Sequence, residues 1–315
     1  MKQTLRYYGP VALVLAVILL VSMGLTLFAG THRAVDDRPR AVTTVYPLYV
    51  AAKAVIGDTD GVVLGRLSGS ADGCLHDYQL SPADRIALQQ ADLLLLNGAG
   101  AEVFLDDLLP TLEATVVDTG ADVELLCASE DTHDHEEEHH HDHTYNEHIW
   151  TSPSGYAAQV AAVTEAMCAL DPAHAAAYTA NGAAYRRQVL EMGEKLRQAV
   201  EKLPGKVCVT FHDSLLYFAR DVGLSPAVTL QAGTDAGLSA ADLTTAGQVV
   251  AENPTALLLY DSQYAVRYTA VDSLVPGAQV LAIDTAVTGE GNATDWLAAM
   301  ERNLRLLEKL TEETP

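Results

Sequence analysis

The chain has 315 residues, of which 49% are hydrophobic and 19% are charged, and its formal net charge at pH 7 is −23. A chain of this length can form about two domains, each with a buried core. The acidic balance argues against a nucleic-acid-binding protein, because neutralising phosphates requires clustered Lys and Arg side chains, and it favours a cationic ligand.

The first thirty residues predict a membrane segment. Lys2 and Arg6 precede the uncharged run PVALVLAVILLVSMGLTLFAG, from Pro10 to Gly30. About 20 apolar residues cross a bilayer, whereas the apolar part of a secretory signal has only about 7 to 15. We therefore favour an uncleaved anchor at residues 1–30 over a cleaved signal. The positive-inside rule places the rest of the chain outside the cytoplasm, anchored to the membrane, or secreted if the segment is cleaved.

The segment that follows alternates predicted strands and helices. AVTTVYPLYVAAKAVIGD has the pattern of a strand and then a helix, and SPADRIALQQADLLLLNGAG that of a helix and then a buried strand. Ser81 is the predicted N-cap of that helix, with Pro82 in its first turn. Such alternation predicts an N-terminal α/β lobe over residues 41–171, after a linker at residues 31–40.

A long helix and a second α/β lobe follow. Asp171 and Pro172 form a typical helix start, and Pro204 with Gly205 forms a stop, so residues 172–204 are predicted to be a linking helix. The apolar runs KVCVTF, TALLLY and AQVLAI are separated by helical patterns over residues 205–315. The predicted fold is therefore α/β, with two lobes of mostly parallel sheets joined by a long helix and preceded by an N-terminal transmembrane helix.

The run DTHDHEEEHHHDHTYNEHIW, from Asp131 to Trp150, contains seven histidines among acidic residues. It has no apolar periodicity, so residues 131–147 are predicted to be a His-rich loop rather than a core element. A solvated charge run without function is the alternative, but Asp and Glu alone would serve solubility. We expect weak auxiliary metal binding by the loop histidines, namely His133, His135, His139, His140, His141 and His143.

The other candidate ligands lie at the ends of predicted elements. Open parallel sheets expose ligand-binding groups at the carboxyl ends of their strands, where His212 and Asp284 follow predicted strands. His76 and His148 each precede a helix. A carboxylate adjoins each histidine, and carboxylates commonly orient metal-bound imidazoles. For any one of these histidines, a loop residue bonded to the backbone is the alternative interpretation.

Four motifs resemble one known family. GCLHDYQLSPAD, NEHIWTSP, FHDSLLYFARDVGL and VLAIDTAVTG, in this order around a long helix, are similar to the metal-binding solute receptors of ABC importers, specifically the ZnuA-like zinc receptors of cluster A-I. The resemblance covers residues 41–310. It implies a monomeric ectodomain that captures Zn(II) between two lobes and delivers it to an ABC permease. The implied metal ligands are His76, His148, His212 and Asp284.

Several alternatives remain beside this interpretation. Asp261, in LLLYDSQY, is a reserve candidate for the acidic ligand. Three imidazoles and one carboxylate suit tetrahedral Zn(II), whereas Mn(II) is better served by more oxygen ligands. A manganese receptor and a metal-dependent surface adhesin are the rival functions. A membrane-anchored zinc hydrolase is disfavoured, because no His-Glu-x-x-His helix is predicted, and we predict that the chain is not an enzyme.

Four cysteines allow three disulfide pairings, and the sequence cannot choose among them. Cys74 and Cys127 lie in predicted loops that flank the histidine-bearing stretches, so they are the preferred pair. Cys168 and Cys208 lie in predicted helix and strand patterns, as small buried hydrophobic residues do.

Overall fold

A computed structural model describes residues 17–19, 36–67, 78–127, 145–230, 239–264, 275 and 278–313. The chain divides into two units, residues 1–38 and residues 39–315. In the first unit, residues 17–19 are helical and Arg38 pairs with Asp36 at 2.6 Å. None of the helices within the described ranges is both long and apolar enough to cross a membrane. Most of the predicted anchor at residues 1–30 lies outside those ranges.

The second unit begins with a four-stranded parallel sheet in the order β2-β1-β3-β4. Its strands are β1 (Arg40–Thr43), β2 (Val63–Arg66), β3 (Leu93–Leu96) and β4 (Thr115–Asp118), and its helices are α1 (Tyr46–Ile56) and α2 (Pro82–Gln89). Ser81 accepts from the backbone N–H of Asp84 in a capping box, which confirms the predicted start of α2. Leu93, Leu94 and Leu95 are almost fully buried, as expected for a strand covered on both faces.

Two packed helices lie between the sheets in sequence. They are α3 (Pro153–Leu170) and α4 (Ala175–Glu201), with a 3-10 turn at Pro172–His174 before α4. α4 continues through Gly182, where a Cβ atom would lie 2.1 Å from Oγ1 of Thr164 on α3. The glycine costs helix propensity, but it allows the two helices to approach each other closely.

A second four-stranded parallel sheet follows, in the order β6-β5-β7-β8. Its strands are β5 (Val207–Thr210), β6 (Ser225–Thr229), β7 (Leu257–Asp261) and β8 (Gln279–Ile283), and its helices are α5 (Leu216–Val222), α6 (Ala240–Glu252) and α7 (Asp295–Glu313). The strand order repeats that of the first sheet. The two sheets confirm the prediction of two parallel α/β lobes.

The two lobes share one apolar core. Its buried residues include Leu95 of β3 and Leu259 of β7, together with side chains of α3 and α4. Trp296, in the first turn of α7, is fully buried and stacks on Tyr156 with ring centroids 4.5 Å apart. Its indole N–H donates to the carbonyl of Trp150 at 2.9 Å. The core therefore continues from one lobe into the other beside residue 150.

The three cysteines in the described ranges occupy different environments. Cys127 is exposed, Cys168 is half-buried and Cys208 is fully buried in β5. Burial raises the pKa of the Cys208 thiol to about 12, which keeps it protonated and unreactive. Cys74 lies outside the described residues, so its preferred pairing with Cys127 stays a prediction.

Candidate metal centre

Two predicted ligands from different lobes face each other. His148 precedes a 3-10 turn at Ile149–Thr151 that leads into α3, and His212 comes two residues after the end of β5. Their ring centroids are 5.4 Å apart and their planes are nearly perpendicular, at 89°. His148 is only 6% exposed. The fold therefore brings together two imidazoles that are 64 residues apart in the sequence.

Asp213 joins this pair. Its Oδ1 lies 2.9 Å from Nδ1 of His212 and 3.8 Å from Nδ1 of His148. Within the described part of the chain, one group of three possible metal ligands is found, and it consists of His148, His212 and Asp213. Their ligand atoms all lie within 4.8 Å of one another. The backbone N–H of Ser214 also points at Nδ1 of His212, at 3.0 Å. Asp213 and Ser214 thus compete for one nitrogen, because the carboxylate needs a proton there and the N–H needs a lone pair.

The ring of His148 is oriented by Asn146. Oδ1 of Asn146 accepts from the backbone N–H of His148 at 2.9 Å and lies 3.1 Å from its Nδ1. An amide oxygen only accepts, so Nδ1 carries the proton in neutral His148. The lone pair is then on Nε2, the nitrogen that lies 3.8 Å from Oε1 of Glu147. This tautomer can bind a metal through Nε2.

The peptide between Glu147 and His148 is supported from the carboxyl end of β3. Nδ2 of Asn97 donates to the carbonyl of Glu147 at 2.7 Å, and Nε2 of Gln159 donates to Oδ1 of Asn97 at 2.9 Å. The buried carboxyl group of Glu102 in turn accepts from the backbone N–H of Asn97 at 2.7 Å. Burial raises the pKa of Glu102 to about 7, although the donors Thr44, Asn97 and Gly98 oppose this shift.

Asp284 is not part of the cluster that the two histidines and Asp213 form in the described part of the chain. Oδ2 of Asp284 accepts two hydrogen bonds from the guanidinium of Arg302 on α7, at 2.9 and 2.7 Å. Its Oδ1 accepts from the backbone N–H of Ala286 at 2.9 Å. The carboxylate is therefore bound by a cation on α7. As a metal ligand, Asp284 stays a prediction that these contacts do not favour.

Asp261, the reserve candidate, interacts electrostatically with both histidines. It ends β7, is 5% exposed, and accepts from the backbone N–H of Gln263 and from Oγ1 of Thr285, each at 2.9 Å. Burial raises the pKa of Asp261 to about 6, while charge on His212 and on His148 acts in the opposite direction. Both histidines thus influence this carboxylate.

The other candidates lie outside the described residues. This applies to His76 and to the auxiliary histidines His133, His135, His139, His140, His141 and His143. Their roles stay predictions. Sequence reasoning also missed the groups that orient His148, namely Asn146, Asn97 and Glu102. Only Asn146 carried a signal, because it lies two residues before a candidate ligand in NEHIWTSP.

The family described as "Zinc-uptake complex component A periplasmic" matches residues 41–310. The chain belongs to this family. The match covers both sheets and both facing histidines, and it confirms the resemblance seen in the four motifs. Zinc-uptake components of this kind are extracytoplasmic solute receptors and not enzymes, in agreement with the sequence prediction.

Individual relatives of the zinc-uptake family agree with this assignment. The chain is 28% identical over 294 residues to "Zinc-binding lipoprotein AdcA" of Streptococcus pneumoniae, covering 90% of this chain but only 58% of AdcA. It is also 28% identical over 294 residues to "High-affinity zinc uptake system protein ZnuA" of Paracoccus denitrificans, with 80% of this chain and 85% of that protein covered. A solved structure, "Crystal structure of ZnuA", has 22% identity and a TM-score of 0.69, covering 88% of this chain and 99% of that one, and shares its fold.

We expect the ionisation of Glu102 to make stability depend on pH. The unfolded carboxyl group loses its proton near its ordinary pKa of 4.5, and the native one only near 7. Raising the pH from about 5 to about 7 should therefore lower the free energy of unfolding, with no further change from this group above about 7. Urea unfolding across this range should show a shallower decline for Glu102→Gln, which cannot titrate. Parallel curves for the two proteins would contradict the shifted pKa.

Proposed function

We propose that this protein is an extracytoplasmic receptor that captures Zn(II) between its two lobes and delivers it to an ABC permease. The observation that carries this proposal is the contact between His148 and His212, which come from different lobes of a zinc-uptake family member. A metal held by both would link the lobes. Zinc-bound and zinc-free receptors would then differ in how firmly the lobes are joined, which gives a permease a basis for recognising the loaded form.

The chemistry of the donors supports zinc. Imidazole nitrogens suit Zn(II) in a tetrahedral shell, and a neutral His148 already presents Nε2 with its lone pair. By resemblance, His76 supplies the third imidazole. We assign the acidic ligand to Asp261 rather than Asp284, because Asp261 is influenced by both histidines and Asp284 is bound by Arg302. Asp213 is better placed to orient His212.

The His-rich residues serve as a weak collecting site. The residues that flank this segment pair at an isolated antiparallel bridge between Cys127 and Tyr145. The backbone N–H of Asn146 also donates to the carbonyl of Leu126 at 2.8 Å. This pairing lies directly beside His148 in the sequence. Histidines from 133 to 143 would raise the local zinc concentration close to the main site.

Residues 1–30 would hold the receptor at the outer face of the membrane, close to its permease. The support for this is the uncharged apolar run from Pro10 to Gly30 and the periplasmic description of the family. A tethered receptor samples a small volume around the permease, so its effective concentration there is higher than that of a freely diffusing receptor.

Single substitutions at the metal centre should separate its ligands. Replacing His212 by Ala should weaken zinc binding by more than about 100-fold, since losing a ligand costs more than the 10–100-fold typical of losing a group that orients one. Asp261→Ala should weaken binding by about 10-fold or more, because the shell loses its negative ligand. Asp284→Ala is the matched control, and its affinity should stay within about twofold. Calorimetric titration against a competing chelator measures all three.

Two results would contradict these assignments. Tight zinc binding by His212→Ala would place the site elsewhere. Weakened zinc binding by Asp284→Ala, together with unchanged zinc binding by Asp261→Ala, would reverse the choice of carboxylate. Circular dichroism of Asp284→Ala should match the parent, since Arg302 is half exposed and water can replace its lost partner.

Removing residues 133–143 should abolish weak zinc binding and leave one tight site. None of the main ligands lies in that segment, and the Cys127–Tyr145 bridge lies outside it. Calorimetry with the parent and the deletion variant should show the same tight event, with the later weak heats only in the parent. Loss of the tight event in the deletion variant would mean that the segment takes part in the main site.

Protein extracted from membranes of the producing cells should retain its first thirty residues. An uncleaved anchor predicts an intact mass that includes them. A mass that corresponds to a chain beginning near Thr31 would instead mean a cleaved signal and a receptor without this tether.

A further inference from the structure

We propose that Asn146 is a positioning residue that fixes the tautomer of His148 and joins this ligand to the backbone beside His212. The proposal rests on the zinc-binding role proposed above. It adds that the two histidines are arranged relative to each other before any metal binds, through one buried amide side chain and the hydroxyl of Tyr217.

The orientation of the Asn146 amide is determined by its two ends. Nδ2 donates to the backbone carbonyl of Asp213 at 2.8 Å, and Oδ1 accepts from the backbone N–H of His148 at 2.9 Å. A rotated amide would place a donor against a donor and an acceptor against an acceptor. Oδ1 therefore faces Nδ1 of His148 at 3.1 Å and holds the proton on that nitrogen.

Asn146 also connects the two lobes. It is fully buried, and its carbonyl accepts from the hydroxyl of Tyr217 on α5 at 2.9 Å. The same hydroxyl accepts from the backbone N–H of Leu126 at 2.9 Å. Since Asp213 and Tyr217 both belong to the second lobe, two hydrogen bonds would break if the segment carrying His148 moved away from it.

This arrangement favours metal binding for a physical reason. A histidine whose competing tautomer is populated must rearrange its proton before Nε2 can bind zinc, and a ligand that is already oriented avoids that cost. His212 has no such single partner, because Asp213 and Ser214 compete for its Nδ1. Asn146 thus makes His148 the better prepared of the two ligands.

Nitrogen-15 NMR of the metal-free full-length protein at about pH 8 tests the tautomer directly. In the parent, His148 should be protonated at Nδ1. Asn146→Ala should lose this preference and bind zinc about 10- to 100-fold more weakly. Asn146→Asp keeps an oxygen facing Nδ1, so it should keep the tautomer while losing the donor to Asp213. Tyr217→Phe should also keep the tautomer and weaken binding by less, about 2- to 10-fold.

Asn303→Ala is the matched control. Asn303 is also fully buried, and its amide bonds the backbone N–H and carbonyl of Asp284 at 2.8 and 2.9 Å. Its loss should lower stability similarly but leave the His148 tautomer and the zinc affinity unchanged. If Asn146→Ala fails to fold, Asn146→Ser replaces it, because its shorter side chain cannot reach Nδ1.

Two outcomes would overturn the proposal. One is an unchanged Nδ1 proton on His148 in Asn146→Ala and Asn146→Ser, whatever happens to their affinity. The other is a changed tautomer with zinc affinity within about twofold of the parent. If the parent itself binds no zinc tightly, the proposed function fails, and the tautomer measurement then stands on its own because it needs no metal.

Discussion

Buried backbone groups need hydrogen-bond partners, and the segment Tyr145–Thr151 meets this requirement with partners from both lobes. The carbonyl of Asn146 accepts from Tyr217, that of Glu147 from Asn97, and that of Trp150 from Trp296. In addition, the indole N–H of Trp150 donates to the carbonyl of Thr285 at 3.0 Å. The position of His148 follows from this set of bonds, since the histidine lies in the middle of the segment. The first lobe supplies one of these partners and the second lobe supplies the others.

The shared core limits how the two lobes can move. Separating them would expose apolar surface around Trp296 and Tyr156, at a cost of about 25 cal/mol for each Å². Wide opening is therefore expensive on this side of the molecule. The proposed metal ligand His148 lies at the edge of this core, where it contacts the ring of Trp150 with centroids 5.4 Å apart. Small rearrangements of side chains and of the adjoining turns are a less costly way to admit and release an ion.

The sequence predicted the fold well because its signals are local. Ser81 and Pro82 identified the start of α2, and the buried run Leu93–Leu96 identified β3. The position of His212 followed from its place after a strand, where parallel sheets expose their functional groups. The 3-10 turn at Pro172–His174 was not predicted, since proline is equally compatible with the first turn of an α-helix.

The details of the candidate metal centre were harder to predict because they depend on contacts between distant residues. Position after a strand did not reveal that Asp284 would meet Arg302, on a helix 18 residues later. Tyr217 and Asn146 are 71 residues apart, and neither residue type indicates such a contact. Asp261 was recognisable only as an alternative, since its burial and its coupling to both histidines depend on how β7 packs.

The bridge between Cys127 and Tyr145 places the two ends of the intervening segment at neighbouring points of the fold. The entropy lost on closing a loop grows only slowly with loop length, by about 0.6 kcal/mol for each doubling. Insertions and deletions between these two positions are therefore nearly neutral for folding. The number of residues between these two positions can therefore change without altering the framework around His148.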